Sequence, residues 1–168
     1  MSRAHGDEIV ASPLFGGVSQ EDWAVLLSHA TRLDLGAGQP VFLQGGAADS
    51  FYAVLSGTVE VRTKNAKGPE RVAARLTGGS VLGETSLFLG GEHSASVYTS
   101  EPSTLLRFQT ADFMELIEQK QTGAIRVLFN MGLALAARFR SATDPTVAAP
   151  GSTEIVRNVT GHVQRYMS

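Results

Sequence analysis

Three regimes of hydrophobic spacing divide the chain. Between Ser19 and Ala30 the apolar residues Trp23, Leu26, Leu27 and Ala30 fall on one stripe, the spacing of an amphipathic helix. Ser19 stands where an N-cap belongs, and Asp22 sits in the first turn, where the helix dipole favours an anion. From 31 to 108 the pattern becomes one of short runs, at 31–35, 51–55, 58–62, 71–76, 94–98 and 104–108, which predicts short strands. Glycines such as Gly36, Gly45, Gly57, Gly78 and Gly91 separate them, and Ser56-Gly57 and Lys67-Gly68-Pro69 are the clearest turns. Many short strands with regular turns suggest an antiparallel barrel, roll or sandwich.

After Thr110 helical spacing returns and predicts helices over 111–119 and 122–142. In the second, Ile125, Leu128, Gly132, Leu135, Phe139 and Ala142 recur at alternating intervals of three and four, a heptad-like seam. Asp144-Pro145 ends that helix, and 148–152 reads as a linker. Residues 153–168 could form a short helix with Ile155, Val156, Val159 and Val163 on one side. The expected organisation is a lead-in over 1–12, a domain over 13–143, a linker over 144–152 and a C-terminal segment over 153–168.

Composition narrows the classes. A chain of 168 residues suits one domain. It has no cysteine, which excludes disulfides and thiolate metal sites. His5, His29, His93 and His162 are scattered, so no metal site or cofactor is expected. The net charge of -2 does not suggest a nucleic-acid binder. The N-terminus lacks the apolar core of a secretion signal. The apolar stretch 127–137 is shorter than the ~20 residues that span a bilayer. A cytoplasmic protein without membrane contact is expected.

The chemistry concentrates in 81–97, V-L-G-E-T-S-L-F-L-G-G-E-H-S-A-S-V. It reads as a strand end, a Gly-Glu turn, one helical turn, a Gly-Gly break and a new strand. Backbone N–H groups and a carboxylate would converge there, as a ligand carrying both phosphate and hydroxyl requires. The nucleophile elbow, the Walker loop and the zinc-protease His-Glu-x-x-His are all absent. A cupin-like metalloenzyme would need histidines and a carboxylate clustered on neighbouring strands. No enzymatic activity is expected.

Several linked pieces carry a family resemblance. They are L-G-A-G-Q-P-V-F at 35–42 with Gln44-Gly45, F-Y-A-V-L-S-G-T-V-E-V at 51–61, G-S-V-L-G-E at 79–84, and the cassette that follows. In this order the chain resembles the cyclic-nucleotide-binding domain of the catabolite-activator type over roughly 14–143. The resemblance implies a mainly β, α+β fold: an eight-stranded antiparallel β-roll with an N-terminal helix and two C-terminal helices. It implies that Gly83 opens the ligand site, that Glu84 accepts the ribose 2′-hydroxyl, and that Thr85 and Ser86 lie on the phosphate-binding helix. Ser94 and Ala95 match the small pair that follows the phosphate-binding arginine. That arginine position holds His93. Histidine is mostly neutral near pH 7 and gives an anion one donor, where arginine gives a charged fork. Losing a charge-assisted bond of ~1.5–3 kcal/mol weakens binding roughly 10- to 150-fold.

The bland alternatives are a turn carboxylate for Glu84 and a solvated loop residue for His93. Whether Arg75 or Arg107 replaces the missing charge depends on strand register. Arg138 and Arg140 are expected to be solvated or salt-bridged. The seam on 122–142 fits the pairing helix of a homodimer, against the plain reading of packing on its own roll. Ser141, Ala142 and Thr143 fall near the expected base contacts. About 25 residues follow Thr143, too few for a helix-turn-helix module, so DNA binding is not expected. Two functions follow. One is a sensor of cyclic AMP, cyclic GMP or a cyclic dinucleotide that signals through the C-terminal helices. The other is a protein-interaction adaptor with a vestigial pocket.

Overall fold

The structure, a computed structural model, describes residues 12–143. The expected lead-in before Ser12, the linker and the 153–168 helix lie outside the described residues, as do the side chains of Ser86, Ser141, Ala142 and Thr143. Ser12 is buried and its hydroxyl donates to the Gly79 carbonyl at 3.3 Å.

A 3-10 turn, Pro13–Phe15, leads into α1, Gln20–Ser28. The Ser19 hydroxyl caps α1 by accepting from the Asp22 N–H at 3.1 Å. Trp23 and Leu26 are buried, with Leu27 packed partly against the same core. His29 closes the helix, so Ala30, expected on its stripe, opens a strand instead.

Eight strands follow: β1 (Ala30–Leu35), β2 (Pro40–Phe42), β3 (Ser50–Ser56), β4 (Thr58–Thr63), β5 (Arg71–Thr77), β6 (Val81–Leu82), β7 (Ser96–Thr99) and β8 (Ser103–Gln109). α2 (Glu84–Leu89) interrupts them between β6 and β7, and α3 (Thr110–Glu118) and α4 (Thr122–Thr143) close the domain. β7 begins two residues later than the expected run, which leaves Ser94 and Ala95 in the loop before it. The strands form two antiparallel four-stranded sheets, ordered β1-β8-β3-β6 and β2-β7-β4-β5.

Strand β3 shows how one sequence serves two cores. All of 50–55 is buried, and alternation sends successive side chains to opposite faces. Phe51, Ala53 and Leu55 join Phe15, Trp23, Phe108, Phe113 and Met131 under the helices. Tyr52 and Val54 join Val59, Leu82, Val97 and Leu105 between the sheets. Phe51 stacks on Phe108 at 5.0 Å and meets Phe113 edge-on at 4.9 Å, geometries favoured by ring quadrupoles.

Helix α4 is held by its inner face. Ala124, Val127 and Met131 are fully buried. Asn130 donates to the carbonyls of Leu14 and Gly16 at 2.9 and 3.0 Å, tying α4 to the N-terminal turn. At Gly123 an added Cβ would stand 2.6 Å from Asp22 Cβ, so the helices meet at a spot only glycine fits. The expected seam lies on another face. Leu128 packs partly on the core, whereas Ile125 is 45% exposed, and Phe129, Gly132 and Phe139 are also exposed. The plain reading, that the seam packs on its own roll, holds for Leu128.

Candidate functional site

The two sheets, α2 and the end of α4 enclose a cavity of about 430 Å³, within the range of small-ligand pockets. Its floor is apolar. Phe42 comes from β2, Val61 from β4, Ala74 and Leu76 from β5, Val81 and Leu82 from β6, and Val97 from β7. On β5 alternation selects Ala74 and Leu76, two residues apart, whereas the two residues of β6 both reach the cavity. Its polar rim is Gly83, Glu84, Thr85, His93, Ser94, Ala95 and Arg138. The fold thus gathers six of the seven expected site residues on one wall. Ser86, the seventh, lies in α2, beside them in sequence.

Gly83 makes the turn possible. Its φ is 68°, and a Cβ there would lie 2.9 Å from the Ser50 carbonyl oxygen. Only glycine combines the left-handed backbone with that approach. The turn delivers Glu84 to the start of α2 with the residue 8% exposed. A carboxylate so buried needs a partner, and Arg138 of α4 provides it through an ion pair. Arg138 also donates to the Val81 carbonyl at 3.2 Å. The expectation that Arg138 is salt-bridged holds, and its partner is Glu84, one of the expected site residues.

His93 is not a solvated loop residue. It is 8% exposed and stacks on Phe42 with ring centroids 3.9 Å apart. Backbone bonds pin it: its N–H donates to the Gly46 carbonyl and its carbonyl accepts from the Gly45 N–H, both at 2.8 Å. Burial pushes the imidazole pKa below its ordinary value, only partly offset by Asp49. His93 is therefore neutral near pH 7.

Strand register answers the question of a substitute charge. Arg75 follows Ala74 on β5, so it faces away from the cavity and pairs with Glu60 at 2.9 Å. Arg62, also on Glu60, lies over the Tyr98 ring at 4.8 Å. Arg107 bonds the Ser50 hydroxyl at 2.9 Å and approaches Asp49 at 3.4 Å. Neither Arg75 nor Arg107 lines the cavity. Arg138 does. Its place was legible in principle: Ala124, Met131 and Arg138 are seven residues apart on the inner face of α4.

A two-sheet β-roll with an inserted Gly-Glu turn and short helix, closed by a long helix, defines a domain built around an internal cavity. Residues 32–120 match the family model of the cyclic nucleotide-binding domain, and the chain belongs to that family. It is 36% identical over 131 residues to the cyclic AMP receptor protein of Thermus thermophilus, covering 78% of this chain and 59% of that protein. It is 30% identical over 121 residues to the CRP-like cAMP-activated global transcriptional regulator of Mycobacterium tuberculosis, covering 67% and 54%. Among solved structures, the Thermus thermophilus catabolite activator protein matches with a TM-score of 0.68 at 36% identity, over 79% of this chain and 60% of that one. A cyclic nucleotide-binding domain from Methylobacillus flagellatus matches in fold with a TM-score of 0.72 at 23% identity, over 86% and 83%. The chain thus spans a little over half the length of these two curated relatives. Among the described residues no helix is long and apolar enough to cross a membrane, and no group of histidine and carboxylate side chains could hold a metal.

Proposed function

We propose that the domain senses a cyclic nucleotide in the cavity at 83–95 and transmits its occupancy through α4. The carrying observation is the rim itself: Glu84, buried and aimed at the same space as Thr85, Ser94 and the Gly83 turn. The Glu84 carboxylate accepts a ribose hydroxyl, and the apolar floor takes the base. Ligand bound there also touches α4, because Arg138 lines the same cavity. Binding shifts the population of α4 positions about the α3–α4 junction. At that junction Lys120 has φ 59°. The exposed Ile125, Phe129 and Gly132 face of α4 supports pairing with a second copy.

Cyclic AMP is the first ligand to try, since the Thermus thermophilus relative named for it is 36% identical. The test is calorimetric titration with cyclic AMP, cyclic GMP and cyclic di-GMP. Saturable binding to the wild type, weakened at least ~10-fold in Glu84→Ala, is expected. No heat at millimolar ligand would overturn the reading. The adaptor alternative rests on a different observation: the Glu84 carboxylate is occupied by Arg138 and His93 is turned onto Phe42. It would show as a stable protein complex indifferent to nucleotide.

A further inference from the structure

We propose that Arg138 of α4 binds the anionic group of the ligand, and that its ion pair with Glu84 is the resting contact the ligand displaces. The inference rests on the cavity being a cyclic-nucleotide site. It adds that the anion-binding charge sits on the moving helix, not on the β-roll.

The electrostatics of the rim lead there. The cavity is lined by one carboxylate, Glu84, and one guanidinium, Arg138, with His93 neutral. With Arg138 in place the rim is close to neutral. Without it, a phosphodiester would enter beside a buried, uncompensated carboxylate, and like charges in a water-poor cavity repel strongly. Arg62 and Arg75 are committed to Glu60, and Arg107 to Asp49 and Ser50. Arg138 alone among the described cavity-lining side chains carries a fixed positive charge.

The geometry permits the exchange. The ribose 2′-hydroxyl and the 3′-oxygen of the cyclic phosphate are on neighbouring carbons. A guanidinium that touches the carboxylate receiving the 2′-hydroxyl is therefore already beside the phosphate oxygens. The Arg138 side chain is 44% exposed, so a long flexible stem at the cavity mouth can turn without opening the core. Its planar fork suits two phosphate oxygens. Glu84 loses a charged partner and gains a hydroxyl donor, while Arg138 trades a carboxylate for a phosphate. The charge count is preserved, and α4 is drawn with its arginine.

A histidine at 93 is then tolerable. The family's cassette charge is replaced by one supplied from α4. Ligand affinity becomes coupled to where α4 stands.

The test is calorimetric titration of the full chain with cyclic AMP and cyclic GMP for the wild type, Arg138→Gln, Arg138→Lys and His93→Arg. Wild-type binding that weakens roughly 10- to 150-fold in Arg138→Gln, with Arg138→Lys between, supports the proposal. So does wild-type affinity that stays flat between about pH 6 and pH 8, since arginine does not titrate there and a histidine anchor would. Unchanged affinity in Arg138→Gln overturns it and leaves the cavity's assignment standing. A silent wild type with a binding His93→Arg also overturns it, because the cavity would then accept nucleotide while Arg138 supplied no usable charge. Silence from both removes the nucleotide reading and this inference with it.

Discussion

Replacing Gly83 by alanine should displace the cassette from the roll. Gly83 has φ 68°, and its missing Cβ would fall 2.9 Å from the Ser50 carbonyl oxygen and 3.7 Å from His93 Cε1. A left-handed backbone costs a non-glycine residue about 1–2 kcal/mol. Forcing an extra methyl against a fixed carbonyl adds about 1–3 kcal/mol. The sum is about 2–5 kcal/mol, a large share of a domain's ordinary stability of ~5–15 kcal/mol. Gly90 provides the control. It has φ 62° with nothing within 4 Å of its Cβ position, so Gly90→Ala should carry the backbone cost alone. Urea denaturation followed by fluorescence of the buried Trp23 gives both stabilities by linear extrapolation. Gly83→Ala should be the less stable variant by about 1–3 kcal/mol, the contact with Ser50. Equal stabilities would refute the reasoning, because the tight approach at the cassette would then have no energetic weight.

Asn130→Ala leaves two carbonyls of the N-terminal turn without their donor and should cost about 2–3 kcal/mol in the same assay; Asn130→Asp, which puts oxygens against those carbonyls, should be no better tolerated. His93 is held neutral in the fold with its pKa below 6.5, so the unfolded chain takes up a proton first as pH falls. The site's contribution to stability is then full above about pH 6.5 and lost as pH drops through the folded value. Comparing urea midpoints at about pH 7.5 and 5.5, the wild type should lose more than His93→Gln, and equal losses would show that the ring is not buried neutral. Asp49, whose carboxyl is held below its ordinary value first by the Ser50 hydroxyl, responds only at more acid pH. Ile125→Asp with Phe129→Asp, both on the exposed face of α4, should reduce a dimer to monomer in sedimentation velocity without loss of helix content.

Much of this fold is legible in alternation. β1 and β4 show a period of two, β3 reads as a short apolar run of strand formers, and glycine turns mark the joins. β2 and β6 are three and two residues long, too short to show a period. They were reachable only through the motif that surrounds them. The cassette residues are contiguous, so the sequence places them together. The environment of His93 was illegible because Phe42, on another strand, buries it. A histidine after two glycines looks solvated until tertiary packing supplies a ring to stack on. Arg138 was missed for a similar reason. The apolar seam drew attention to Ile125, Leu128 and Phe139, while the inner face shared by Ala124, Met131 and Arg138 carries a charge where apolar periodicity expects none.

The most direct measurement is an amide chemical-shift titration of the isotope-labelled protein with cyclic AMP. Saturable shifts should concentrate at Gly83, Glu84, Thr85, His93, Ser94 and Ala95, with a second group on α4 around Arg138. No shifts at millimolar ligand, or shifts confined to residues outside this cavity, would contradict the claim that these residues form a cyclic-nucleotide site.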